Sequence, residues 1–200
     1  MDRKLLVIVV ICCIEVAFRA AYDLLRVDPL LYTFLVRAIE MLIIFSLAFK
    51  DCGLIASSIS KELLIGLFLS AVFAAAVVSA DLASRLFVSG GVLKPLIGKQ
   101  HITNIVGFIT VGCVFGPFVE ELFFRGLFYA WLRQRMHVIA AIFLSALIFA
   151  SMHGFISVVQ LIGGLLFAGI YEWRQNIWAP YTVHVLANIG IWVFPWIYPF

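Results

Sequence analysis

Phe118-Val119-Glu120-Glu121-Leu122-Phe123-Phe124-Arg125-Gly126 sets two adjacent carboxylates and an arginine among aromatic and aliphatic side chains. On insertion scales, an ionisable group at membrane depth costs about 2.5–3.5 kcal/mol. A chain that keeps three such groups within six positions must pair them, wet them or use them. Everything outward from this stretch makes membrane depth the relevant environment. The 200 residues are 64% hydrophobic and only 12% charged, with a mean hydropathy of +1.13. A soluble domain sits near about 45–50% apolar and about 25% charged. A chain of this size cannot hide the excess in a core, because a small fold leaves much of its surface in water. The reading is an integral membrane protein in contact with the lipid bilayer.

No linker, repeat or low-complexity tract interrupts the chain. We therefore expect a single integral-membrane domain over residues 1–200, with supporting helices in 1–100 and the chemistry-bearing core in 101–200. The net charge of +3 is spread without a basic stripe, so nucleic acid is not an expected partner. Cys12, Cys13, Cys52 and Cys113 are scattered. They form neither a disulfide framework nor a zinc spacing and read as small buried hydrophobes.

Met1-Asp2-Arg3-Lys4 leads into an apolar run that passes Arg19 to Leu25, a first transmembrane helix rather than a signal peptide. Glu15 and Arg19, four apart, share a face and are expected to pair. Asp28-Pro29 breaks the chain, with Asp28 as cap and Pro29 in the first turn of a second span. That span, Leu30 to about Phe49, carries Arg37 and Glu40 three apart. A third, Glu62 to about Phe87, is rich in small residues, which let helices approach closely in lipid. A polar connection through Ser89-Gly90-Gly91, Pro95 and Gly98-Lys99-Gln100-His101 follows.

The fourth span starts near Ile102 and runs through Gly116-Pro117, where a kink or restart is expected, to Trp131. Further spans are expected over Val138–His153, Phe155–Tyr171 and Ile177–Phe200. The fold class is all-α, a polytopic transmembrane bundle of about seven to eight helices.

In a helix, residues four apart lie on one face. Glu121 can thus pair with Arg125, while Glu120, about 100° further round, faces other neighbours. His153 lies four after Phe149, and His184 and Asn188 are four apart. Polar groups in a membrane bundle face its interior, so Glu120, His153, His184 and Asn188 can converge from three helices. A carboxylate can take a proton from water and a histidine can orient that water. A His and an Asn can donate to an oxyanion. Together they could hydrolyse an amide. Glu120, His153 and His184 could instead hold zinc with an open position, although the chain has no His-Glu-x-x-His helix. A non-enzymatic membrane transporter or immunity protein, using the same charges structurally, is the alternative of a different class.

Glu120-Glu121-x-x-x-Arg125, Phe149-x-x-x-His153, Gly169-Ile-Tyr-Glu-Trp-Arg-Gln-Asn-Ile-Trp-Ala-Pro180 and His184-x-x-x-Asn188 resemble, in order, the motifs of the CPBP family, the CAAX-protease and bacteriocin-processing (Abi) proteins. The resemblance covers about Phe115 to Ile189. It departs at Gln175-Asn176, where a Thr or Ser and a Gly are usual. It implies an intramembrane endopeptidase of glutamate type acting on a membrane-associated protein or peptide. By that resemblance Glu120 activates the water with help from His153, and His184 and Asn188 form the oxyanion hole. Glu121, Arg125 and Phe149 would support them, with no cofactor needed and zinc as the alternative. A multi-pass protein of the bacterial inner (plasma) membrane is the expected setting.

Overall fold

The computed structural model describes residues 2–25, 27–55, 58–88, 91–94, 96–97, 101–153 and 157–198. Much of the polar connection read at 89–101 lies outside the described residues. Among those described the chain is all-helical, without a strand. Seven helical rods follow one another: α1 (Arg3–Leu25), α2 (Pro29–Ala48), α3 (Ile59–Ser84), α4 (Ile105–Arg133), α5 (Val138–Met152), α6 (Val158–Arg174) and α7 (Trp178–Ile197). The first four are long and apolar enough to cross a membrane. The expectation that every later helix also spans is narrowed. α5 has 15 residues. At about 1.5 Å per residue a helix of that length falls short of a hydrocarbon core of about 30 Å.

Local chemistry sets the helix ends. The Asp28 carboxylate accepts from the backbone N–H groups of Leu30 and Leu31 at 2.9 and 3.0 Å, with Pro29 in the first turn. This is the cap expected from Asp-Pro. α4 opens on Asn104, whose side chain accepts from the Gly107 N–H. α6 ends at Gln175, which adopts the left-handed conformation (φ 51°) to turn the chain into α7.

α4 is the axis of the bundle. Every residue from Val119 to Leu127 is buried, because α1, α2, α5, α6 and α7 all pack around this rod. Its winding is not uniform. Phe108–Phe115 and Leu122–Tyr129 are π-wound, flanking an α-wound turn at Gly116–Glu121. The Gly116 N–H donates to the Val111 carbonyl, five residues back. The next bond of that ladder would run from residue 117 to the Gly112 carbonyl. Pro117 has no N–H, so it cannot form. Pro117 thus changes the winding and releases a carbonyl, where the sequence suggested a kink or restart.

α3 stands outside this packing and lies along α7. Gly66 allows it: a methyl there would meet the Thr182 Cβ at 2.5 Å and the Ala179 carbonyl at 2.8 Å. α6 also packs on α7, and α3 and α6 barely touch. Arg174 and Glu62 tie them at one end, with Nη2–Oε1 2.6 Å. Between them lies a cleft.

Candidate active site

Glu120 and Glu121 diverge as helical geometry requires. Glu121 is fully buried and paired with Arg125, Nε–Oε2 3.0 Å. Its other oxygen meets His184 Nδ1 at 2.9 Å. Glu120 points to a different set: Oε2 lies 3.6 Å from His153 Nε2 and 3.7 Å from His184 Nε2. Three of the four residues read from the sequence thus meet at one oxygen atom, from α4, the end of α5 and α7.

Each histidine is oriented through its second nitrogen. His153 caps α5, where the last carbonyls lack helical partners. Its Nδ1 lies 2.8 Å from the Phe149 carbonyl. A carbonyl only accepts, so Nδ1 carries the proton and, in a neutral ring, Nε2 carries a lone pair. That lone pair faces the Glu120 carboxylate, itself an acceptor. A donor must lie across the two, and a water molecule that gives one hydrogen to each fits that need. His184 is held flat against the Phe167 ring, centroids 4.5 Å and planes 22° apart. Its Nε2 can donate when the ring holds both protons, or when Glu121 holds the proton between them.

Asn188 does not touch Glu120. Its Nδ2 donates to the Gly112 carbonyl at 3.0 Å, the group Pro117 leaves without a helical partner. The bond fixes the amide and leaves one N–H for the cleft that Asn188 lines together with Glu120, His153 and His184.

Arg125 is wholly buried, and among the described residues no well-aligned hydrogen bond reaches its guanidinium nitrogens. Besides the Glu121 ion pair, aromatic faces surround it: Cζ is 5.0 Å from the Phe149 centroid, 5.5 Å from Phe167 and 5.7 Å from Phe124. Cation–π attraction strengthens in a desolvated site. Phe149 also stacks edge-on with His184 (5.7 Å), so one ring buttresses both the Arg125 pair and the histidines.

Two contributors lay outside the sequence reading. Phe167 was one more aromatic in a span. Arg37 stands three residues before Glu40 and contacts it. But Arg37 also binds Glu15 of α1 (2.6 Å) and reaches Glu120, Nη2–Oε1 3.3 Å. Arg19, expected to pair with Glu15, instead donates to the Met152 carbonyl at 3.3 Å. Charge counting held no signal for this: in the first two spans Glu15 and Glu40 are matched by Arg19 and Arg37, and only the approach of the helices decides which guanidinium serves which carboxylate.

The zinc alternative read from the sequence would use Glu120, His153 and His184. Among the described residues no three His, Cys, Asp or Glu side chains are arranged to hold a metal ion. One oxygen of Glu120 already faces a guanidinium.

The cleft beyond these groups has a volume of about 730 Å³. Its walls are apolar, with Leu67, Phe73 and Val77 of α3 facing Ile162 and Leu166 of α6 across α7. Residues 102–190 match the family described as "Rce1-like: Type II CAAX prenyl endopeptidase Rce1-like". That segment is similar to the family. The chain is thus an enzyme, an intramembrane endopeptidase of the CAAX type, in agreement with the resemblance carried by its motifs. The Rce1-like segment contains Glu120, His153, His184 and Asn188, whereas Glu15 and Arg37 lie outside it. No curated protein and no solved structure matches the chain significantly.

Proposed function

We propose that this Rce1-like endopeptidase works by a glutamate-type mechanism, with Glu120 as the base. The observation that carries the reading is the pair of facing acceptors, Glu120 Oε2 and His153 Nε2, 3.6 Å apart at the head of the cleft. A water donating to both is held with its lone pairs free. As its oxygen attacks the scissile carbonyl carbon, Glu120 takes the proton. The negative charge developing on the carbonyl oxygen is met by His184 Nε2 and the second Asn188 N–H. The buried His184 donor contributes about 3–4 kcal/mol in a site closed to water, and the half-buried Asn188 N–H less, about 1.5 kcal/mol. Glu120 then gives the proton to the leaving amine as the C–N bond breaks. Glu121, Arg125 and Phe149 keep the donors in register and touch no reacting atom.

The cleft supports a reading of the substrate class. Its walls suit an apolar chain more than a polar peptide, so a peptide with a prenyl group or another hydrophobic tail near the scissile bond fits. A prenylated C-terminal peptide is the member of that class the family description points to; leader peptides and sorting tails are the other candidates. The setting we favour is the bacterial inner membrane. Purified protein in liposomes with a farnesylated CAAX peptide provides the test. Glu120→Gln should lose cleavage while keeping its melting temperature, and wild-type cleavage by this variant would remove Glu120 from the mechanism.

A further inference from the structure

Glu120 has two sides. One faces the apolar cleft. The other faces Arg37, which does not line that cleft and instead lines a separate polar hollow of about 280 Å³. Glu15, Arg19, Tyr22, Tyr32 and Thr33 also line this hollow, with Pro29 and Met152. Inside the bundle a single guanidinium meets three carboxylates: Nη1 contacts Glu15 and Glu40, and Nη2 contacts Glu120 Oε1. Glu15 and Glu40 already suffice for structural pairing, so the third contact calls for its own explanation. It divides the work of the two Glu120 oxygens. Oε1 is held by Arg37, and Oε2 is turned to His153 and His184.

From this geometry we infer that Arg37 is a positioning residue for Glu120. α1 and α2 thereby complete a site whose other groups all come from the second half of the chain. The inference rests on Glu120 being the base. The planar fork of an arginine can hold several carboxylates at fixed angles, which the point charge of a lysine cannot. Without that hold the Glu120 carboxylate rotates, and the water bridge to His153 loses its geometry. Arg37 lies on the far side of Glu120 from the cleft, so substrate binding does not sense it.

The test compares wild type, Arg37→Ala, Arg37→Lys and Glu120→Gln in proteoliposomes with a farnesylated CAAX peptide. For Arg37→Ala, kcat should fall about 100-fold, the scale of a misplaced catalytic group, with KM unchanged. Millimolar guanidinium entering through the polar hollow should restore part of that loss in Arg37→Ala and none in Glu120→Gln. A folded Arg37→Ala with wild-type kcat, or one whose loss lies in KM and resists guanidinium, overturns the role of Arg37 while leaving Glu120 in place. Wild-type kcat in Glu120→Gln overturns both. If Arg37→Ala does not fold, Arg37→Lys carries the test, with kcat expected about tenfold down and wild-type kcat contradicting the role. A readout independent of substrate is the infrared carboxylate band isolated by subtracting Glu120→Gln from its parent. It should shift when Arg37 becomes Lys, and an unchanged band overturns the inference.

Discussion

His184 and Asn188 lie four apart on α7 yet are held differently, and their variants should differ accordingly. His184 is buried between two carboxylates and stacked on Phe167. In the proposed mechanism His184→Ala removes an oxyanion donor, and it also leaves Glu121 one partner short. We expect kcat to fall about 10²–10³-fold, the cost of one lost donor in such a site. Asn188 spends one N–H on Gly112 and has one left for the reaction. Asn188→Ala should cost about tenfold, at the low end for a lost hydrogen-bond donor. Steady-state kinetics on the two purified variants separates them, and equal losses would contradict the distinct anchoring. At this scale the sequence was legible wherever a contact follows helical spacing. Glu121–Arg125 is such a contact. It misled where a second helix offered a better partner. Glu15 faces Arg19 on its own helix but binds Arg37 of α2, because interhelical approach is invisible to spacing.

The element that matters most is α4. Its two π-wound stretches were not legible, since no composition signal distinguishes them from α-helix. Only Pro117 hinted at irregularity. Pro117→Ala is therefore informative. Removing a proline from a helix interior normally stabilises it. Here the new N–H can bond the Gly112 carbonyl and compete with Asn188. The expected outcome is a melting temperature equal to or above wild type, with kcat reduced about as much as in Asn188→Ala, about tenfold. Unchanged kcat would show that the released carbonyl does not hold Asn188. Gly126 tests the packing of the same element. A Cβ there would lie 2.0 Å from the Cys52 carbonyl oxygen, a backbone atom that cannot rotate away. Gly126→Ala should destabilise by about 3 kcal/mol, the upper part of the range for overpacking, read as a lowered unfolding midpoint.

For the whole molecule, composition alone told membrane from water, and the order of motifs told peptidase from transporter. The relation between the halves was not legible. The N-terminal helices read as supporting spans, yet α2 brings Arg37 to Glu120 and α3 supplies one wall of the cleft. We propose on this basis that residues 1–200 act as one unit. Residues 101–200 made alone should not cleave, and co-production with residues 1–100 should restore cleavage in the reconstituted membrane. Activity in the isolated second half would contradict that unity.

The central claim is that a glutamate activates the water and no metal takes part in the step. It is met most directly by the cleavage rate of wild-type enzyme that has been chelator-treated, shown by elemental analysis to hold no bound metal, and compared with Glu120→Gln in the same liposomes. The expected result is the full wild-type rate without metal and no cleavage by the variant. Loss of wild-type activity on chelation, with recovery on adding zinc, would contradict it.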